Sequence, residues 1–548
     1  FYGAGGNITI DAQQVTLVSD PDSDILTGII STNTFNPLFG IQLYPIFFSP
    51  YFSHADSGNI TISATGTGGL TIKNGAEIST DSYALGKAGN ISITASDINL
   101  SRNGSIYGAI ASQSAYAGDA GNISIESTND INISGGFEIA ASVQGIGTGG
   151  NISVSAANTI SITGEGSGIA SATTAPSEKV KNQLARRYAS PDFNSLINNI
   201  NYFAGGPLLQ PDANMFAVMS ALQSLGLINL LGQPAVAGNA GSITLAASTL
   251  NMNDNSRITT STSSDGNGGA LTINVEKLAM KNNSEIRSRS GLYNDGQLEV
   301  GSGNGGDITI DASKSISMKS GSSISANSLG TGLAGDIYLD AGRILDLTDS
   351  SITTQATIAD GGNITIRALD MIYLDQSGIT TSVENGLGSG GNIDIDPEFF
   401  IIRGSNILAN AYGGDGGNIV LVANHFITSA DSSIDASSAL GMDGSIDISS
   451  PDEEVADDLV VLPDNYMDVT SLISERCGAS SGSSSLVDAG SAGMSVDPDG
   501  YLPSYAIAEA YVNNNRMAKN TNSNQNHLAF ADIDKSQLSL AQLSCNAI

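Results

Sequence analysis

The chain has no tryptophan, two cysteines and three histidines in 548 residues. Aromatic residues make up 5%, and charged residues 14% where an average globular protein has about 25%. Lys and Arg number 21 against 54 Asp and Glu, a formal net charge of −33. Each scarcity excludes something. Without clustered Lys and Arg, nucleic acid is excluded as a partner, because phosphate binding needs them in patches. An anionic membrane surface is disfavoured for the same reason. His54, His425 and His527 are scattered, with no nucleophile–base spacing and no His-Glu-x-x-His. No apolar run reaches the roughly 20 residues a membrane helix needs. No signal peptide is visible, and Phe1 lies immediately before a repeat, so the expectation is a fragment or a processed form. Cys477 and Cys545 both fall in the last part of the chain. They leave three readings open: free or buried thiols, a disulfide within the chain, or a bridge between chains. An internal bridge would be worth about 4 kcal/mol in the chain-entropy model.

What is plentiful is glycine, 64 residues, together with Ser, Thr, Asn and Ala. Much of it belongs to one stretch. Gly5-Gly6-Asn7-Ile8-Thr9-Ile10 returns as Gly58-Asn59-Ile60-Thr61-Ile62, Gly89-Asn90-Ile91-Ser92-Ile93, Gly121-Asn122-Ile123-Ser124-Ile125 and Gly150-Asn151-Ile152-Ser153-Val154. After a gap come the segments opening at Gly241, Gly306, Gly335, Gly362, Gly391, Gly417 and Gly444. A fixed period of this kind decides the architecture before any single motif does. In the unit from Gly361 to Gly390, Asn363 to Arg367 alternates apolar and polar residues, the pattern of a strand with one buried face. Leu369 to Asp375 and Ile379 to Val383 read as two further strands, with glycines between. Like-for-like recurrence favours parallel stacking over a meander, which would want Asn-Gly or Asp-Gly hairpins.

The expected fold is therefore all-β: a right-handed, three-sided parallel β-helix of about 13 coils over residues 1–450 and about 60 Å long. Ile8, Ile60, Ile91, Ile123 and Ile152 should stack inside. Asn7, Asn59, Asn90, Asn122 and Asn151 should stack at a corner with their amides bonded to one another. The glycine before each Asn should supply a positive φ.

Two segments break the period. Residues 33–56 hold Phe35, Phe39, Tyr44, Phe47, Phe48, Tyr51 and Phe52, a high density for a chain so poor in aromatics. Residues 175–238 read as two helices, Ser177 to Arg187 and Ala213 to Leu231, the second with Met215, Met219 and Leu222 at helical spacing. Both are excursions from a coil. They either pack on each other or on a face of the rod, or offer a surface to a partner. After Ser450 the repeats stop, and residues 451–548 form a C-terminal capping or tail region with a flexible Gly/Ser stretch from Gly478 to Ser485.

Motifs that would carry chemistry are weak. Gly330-Thr331-Gly332-Leu333-Ala334-Gly335 and Gly145 to Gly150 match Gly-x-Gly-x-x-Gly, but each runs into a strand, and phosphate binding needs a helix N-terminus. Asn7, Asn59 and Asn363 open glycosylation sequons that arise from the corner repeat. Asp20-Pro21-Asp22-Ser23-Asp24 begins like a calcium loop but lacks the Gly and Glu that complete one. No cofactor is expected. Adventitious calcium remains an option at Asp20, Asp22, Asp24, Asp497 and Asp499. Catalysis is the rival reading, since β-helices also host polysaccharide lyases and hydrolases. Asp394 and Asp396 place two carboxylates on one strand face, as such sites need. Other repeats put Thr, Ser or Val in the same slot, so the expectation is a protein that is not an enzyme.

The Gly-Gly-Asn-Ile-x-Ile repeats resemble those of filamentous-haemagglutinin-like large exoproteins of two-partner secretion. The C-terminal side is similar too: Asp447-Ile448-Ser449-Ser450-Pro451, Leu459 to Pro463, Asp468-Val469, Cys477, and Asp497-Pro498-Asp499-Gly500-Tyr501-Leu502-Pro503. The N-terminal secretion domain of that family, with its Asn-Pro-Asn-Gly type motif, is not present in this sequence. The resemblance implies export through an outer-membrane partner, a secreted or outer-surface location, and a role in adhesion, aggregation or biofilm. It also implies cell-surface or matrix glycans and proteins as partners, and surface anchoring by the C-terminal cysteine pair. A β-helix with an open first coil adds self-association into head-to-tail filaments.

Overall fold

The computed structural model describes residues 5–20, 27–34, 56–83, 86–102, 108–114, 118–143, 147–173, 238–262, 266–294, 297–299 and 301–450. It divides into two compact units, residues 1–459 and 460–548. All described strands lie in the first.

Those strands wind into a parallel β-solenoid with three faces. First-face strands stack in register from Ile8 through Ile60, Ile91, Ile123, Ile152, Ile243, Leu271, Ile308, Ile337, Ile364, Ile393 and Ile419 to Ile446. The third face is a separate sheet of 12 strands, from Gly28–Ile30 to Ser433–Asp435. Twelve coils therefore close among the described residues, slightly fewer than the 13 expected, and Ile446–Ser449 opens another. At about 4.8 Å per coil the third face runs about 53 Å. In several coils the first two faces are one continuous strand, such as Ile60–Lys73 and Ile308–Lys319. One departure is antiparallel: Leu292–Asn294 pairs with Gln297–Glu299.

Each coil sends five side chains inward. In the coil from Ile364 these are Ile364, Ile366, Ile372, Leu374 and Ile379, all fully buried. One continuous cluster runs from Val15 to Ala436. The core is aliphatic because identical side chains must pack on themselves every 4.8 Å or so, which branched chains do well on a pleated surface. An aromatic pair replaces them near the last described coils, where Phe400 packs against Phe426 with rings tilted by 36° and centroids 5.7 Å apart.

The glycine corner works differently from expectation in two respects. The repeated glycines Gly58, Gly89, Gly121, Gly150, Gly362 and Gly391 do not have positive φ. A Cβ on any of them would instead run into the carbonyl of the corner glycine one coil earlier, for example Gly335 below Gly362. The glycine is demanded by backbone approach, and positive φ falls elsewhere, at the turn before the third face, on Asn74, Asn255, Asn283, Ser320, Asp349 and Gln376. The corner ladder also differs. The amide side chains mainly accept from the next backbone: Asn59 N–H donates to Asn7 Oδ1 (2.9 Å), Asn90 to Asn59 (2.8 Å), Asn122 to Asn90 (2.8 Å) and Asn151 to Asn122 (2.9 Å). Since only an acceptor is needed, Asp replaces Asn at Asp307 and Asp336 without loss. Amide-to-amide bonding of the expected kind occurs at Asn392 to Asn363 (3.1 Å).

A second ladder runs three residues earlier. Lys87 N–H donates to Asp56, Thr148 to Asp119, Asn267 to Asn239, Asn304 to Asn267, Leu333 to Asn304, Ser389 to Asp360 and Met442 to Asp415, all at 2.7–3.0 Å. It is unbroken from Asn239 to Leu333, where the first ladder lapses at Ser242 and Ala270. Buried hydroxyls staple the third face to the same corner. Ser112, Ser171 and Ser288 each donate to a corner glycine carbonyl and accept from the next corner N–H. Thr354 and Thr381 donate to Gly362 and Gly391.

Candidate functional site

With the inside fixed by stacking, any activity must reside in outward side chains, and these change along the solenoid. On the first face the outward column reads Thr61, Ser92, Ser124, Ser153, Thr244, Thr272, Thr309 and then Tyr338, Thr365, Asp394, Val420. On the second face it reads Asn99, Asn132, Ser161, Asn251, Ala279, Ser317 and then Asp346, Tyr373, Ile401, Ile427. A neighbouring column stacks Ile344, Met371, Phe399 and His425. From Tyr338 onward aromatic and branched side chains therefore join the polar ones, among them Thr365, Asp346 and Asp394. Tyr338 is 42% exposed, Phe399 38% and Ile427 55%. Phe399 and His425 stack face to face, centroids 4.4 Å apart.

Ion pairs frame these coils. Lys319–Asp346 (2.8 Å), Arg343–Asp370 (2.6 Å), Arg367–Asp394 (2.6 Å) and Arg403–Asp375 (2.9 Å) all lie there. Each of these four cations is engaged by a carboxylate, in coils that otherwise carry acidic side chains such as Asp340, Asp396 and Glu398. An apolar centre with a rim of both signs is the composition of a protein contact surface.

A groove follows the corner between the first and second faces. One part, a cleft of about 680 Å³, has a floor of Ser155, Ala156, Ala246 and Ala247 and walls including Glu126 and Glu276. Another, of about 580 Å³, is lined by Asp311, Asp340, Arg367, Leu369, Asp396 and Glu398. Asp394 and Asp396 do share a strand face, but the structure does not leave them as a pair of open carboxylates. Arg367 grips Asp394 through Nη1 (3.1 Å) and Nη2 (2.6 Å), and that bonding raises the Arg367 pKa. Both oxygens of the Asp394 carboxylate are thereby engaged by one guanidinium. Asp396 alone faces the groove.

The other perturbed groups are structural. Burial, reinforced by the charges of Arg289 and Arg257, pushes the Arg287 guanidinium down to about 10, opposed by Glu285 at 3.0 Å. Asp119 is held below the usual carboxylate value, first by the Thr148 backbone N–H and further by Lys87, against the effect of its partial burial. Gly335 of the Gly-x-Gly-x-x-Gly match opens a strand. Among the described residues no set of three or more His, Cys, Asp and Glu is arranged to hold a metal ion, and no helix is long and apolar enough to cross a membrane. Of the residues picked out from sequence, Phe35, Phe39, Tyr44, Phe47, Phe48, Tyr51, Phe52, Met215, Met219, Leu222, Cys477 and Cys545 lie outside the described residues, as do His54, His527, Asp22, Asp24, Asp497 and Asp499. Tyr338, Phe399 and Ile427 were not among those picked. Aligning the repeats column by column is the signal that finds them.

Comparison with known proteins returned no matching family model, no matching curated protein and no matching solved structure.

Proposed function

We propose that this chain is a secreted, non-catalytic adhesive protein, displayed outside the cell and acting through its outward side chains. The observation that carries this reading is the change of surface at Tyr338. Earlier coils put Ser, Thr and Asn on these outer faces, so the partly exposed Tyr338, Phe399, Val420 and Ile427 exceed what coil stacking requires. Exposed apolar side chains in successive coils are the kind of feature that marks contact sites. The partner class is a cell-surface or matrix protein or glycan. The resemblance of the Gly-Asn-Ile-x-Ile repeats and of the C-terminal sequence features to filamentous-haemagglutinin-like exoproteins supports export by an outer-membrane partner and a role in aggregation or biofilm. Head-to-tail stacking of coils would extend such a protein into fibres. No cofactor is needed for any of this, and calcium at acidic edges would be adventitious.

Incubation of the purified chain with a panel of acidic and neutral glycans tests the non-catalytic part. The expectation is retention of the chain on surfaces with no release of reducing or unsaturated ends. Turnover of any glycan at a rate abolished by Asp396→Asn would replace this reading with that of a polysaccharide-active enzyme.

A further inference from the structure

The third face carries a different anomaly, one of charge. Of the 21 Lys and Arg in the chain, three stand on its outward side within two adjacent coils. Arg257 stacks beneath Glu285, and Thr259 beneath Arg287. Arg289 follows two residues after Arg287, past buried Ser288. Two carboxylates oppose them on outward positions of these coils and the two below: Glu285, 3.0 Å from Arg287 Nη1, and partly exposed Glu138, two coils beneath Arg257 with Gly168 between. Arg287 is held in place, since its Nε also lies 3.4 Å from Thr259 Oγ1 and its side chain is only 20% exposed. The crowding of like charge shows there, because the charges of Arg289 and Arg257 add to burial in lowering its pKa. Arg257 is exposed, and its guanidinium makes no hydrogen bond or ion pair among the described residues. Its stem runs past Gly168, where a Cβ would come within 3.1 Å of Arg257 Cγ. In a chain of net charge −33, this is a local field that attracts anions.

Beyond the arginines the outward positions turn uncharged. Ser323, Ser325, Ser351, Thr353, Thr380 and Asn406 stack there in register, all at least partly exposed, and no charged side chain enters these columns before Asp435. From the Arg257 coil to the Asn406 coil the strip runs about 24 Å. Hydroxyls and amides both donate and accept, as sugar hydroxyls do. A protein contact would want an apolar centre, and the strip offers only partly exposed Leu408. We propose that the third face binds a uronate polysaccharide, with a sugar carboxylate on the Arg257 guanidinium and sugar hydroxyls along Ser323, Ser325, Ser351 and Thr353. A guanidinium fork fits a planar carboxylate, and the chain makes that pairing within itself between Arg367 and Asp394. Arg287 and Arg289 contribute field rather than contact. The strip lies on a different face from Tyr338, so this site stands independently of the adhesive surface proposed there.

Binding of the full chain to polygalacturonate tests it. Calorimetry at about 0.15 M salt is suitable, because a Debye length of about 8 Å then screens the acidic remainder of the chain from the strip. Fully methyl-esterified polygalacturonate has the same backbone without the charge and should not bind. Arg257→Gln should weaken binding at least about tenfold, the effect of losing a charge-assisted hydrogen-bond pair. Arg257→Lys should recover only part of the loss, since an ammonium has no fork. Ser325→Glu sets a carboxylate in the strip and should weaken binding by a similar factor. Arg257 and Ser325 are both on the open side of the sheet, so the variants should keep the parent circular dichroism spectrum. The Tyr338→Thr, Phe399→Ser, Ile427→Thr variant should bind polygalacturonate as the parent does. Absence of saturable binding overturns the proposal, as does equal binding of the ester or undiminished binding by Arg257→Gln. Single-stranded DNA bound as tightly as the polysaccharide would also overturn it, by showing a response to charge alone.

Discussion

Gly362 and Gly378 are both glycines of one coil, yet they do unlike things. A Cβ at Gly362 meets the Gly335 carbonyl, while one at Gly378 meets nothing within 4 Å. Gly362→Ala should therefore cost about 3 kcal/mol by overpacking, and Gly378→Ala should be neutral or stabilising by about 0.5 kcal/mol. Denaturant unfolding of the two variants checks the pair, and equal losses would mean that approach is not what the corner glycine provides. The ladder residues make a second contrast. Asn122→Asp keeps the Oδ1 acceptor for Asn151, whereas Asn122→Ala removes it, so only the alanine variant should lose about 1 kcal/mol. Asp119 adds a pH dependence. Its folded pKa is depressed, so its contribution is present above the ordinary carboxylate value and lost as pH falls through the lower folded value. Asp119→Asn should flatten the fall in melting temperature between about pH 5 and pH 2, and an unchanged acid slope would contradict that role.

At the scale of the strand and corner, what sequence could reveal depended on what was periodic. Strand phase was legible because Ile at every second position must face inward, and Ile364, Ile366 and Ile379 do. The reason for glycine was not, since recurrence marks a position without saying whether φ or a neighbouring backbone requires it. The second ladder stayed hidden because its donor is always a backbone N–H. Lys87, Thr148, Leu333 and Met442 are tolerated there, and this blurs the pattern of Asp56, Asp119, Asn304 and Asp415. The two ladders also explain a local weakness. Where Ala270 interrupts the first, Asn239, Asn267 and Asn304 maintain the second. Ala270→Asn would give the Asp307 N–H an acceptor and should stabilise the solenoid by about 0.5–1 kcal/mol, read as a raised denaturation midpoint. Tyr338, Phe399 and Ile427 were overlooked for a related reason. Each fills an ordinary repeat slot, and its oddity appears only against the Thr, Ser and Asn of the coils stacked beneath it.

Across the described solenoid, stability and recognition are divided between inside and outside. The inner columns, corner glycines and ladders repeat from coil to coil and fix the fold. The outer columns are free to vary, and in the coils from Tyr338 onward they bring in Tyr338, Phe399, Val420 and Ile427 alongside the ion pairs of Lys319, Arg343, Arg367 and Arg403. Those pairs are more than a third open to water on one partner or the other, so each contributes little to stability. The most direct measurement is binding of the full chain to intact cell layers and extracellular matrix, compared with a variant carrying Tyr338→Thr, Phe399→Ser and Ile427→Thr, the residue types used in earlier coils. The account predicts an unchanged circular dichroism spectrum and melting temperature with binding reduced at least about tenfold, the effect of losing buried anchors from a contact. Undiminished binding by the folded variant would contradict it.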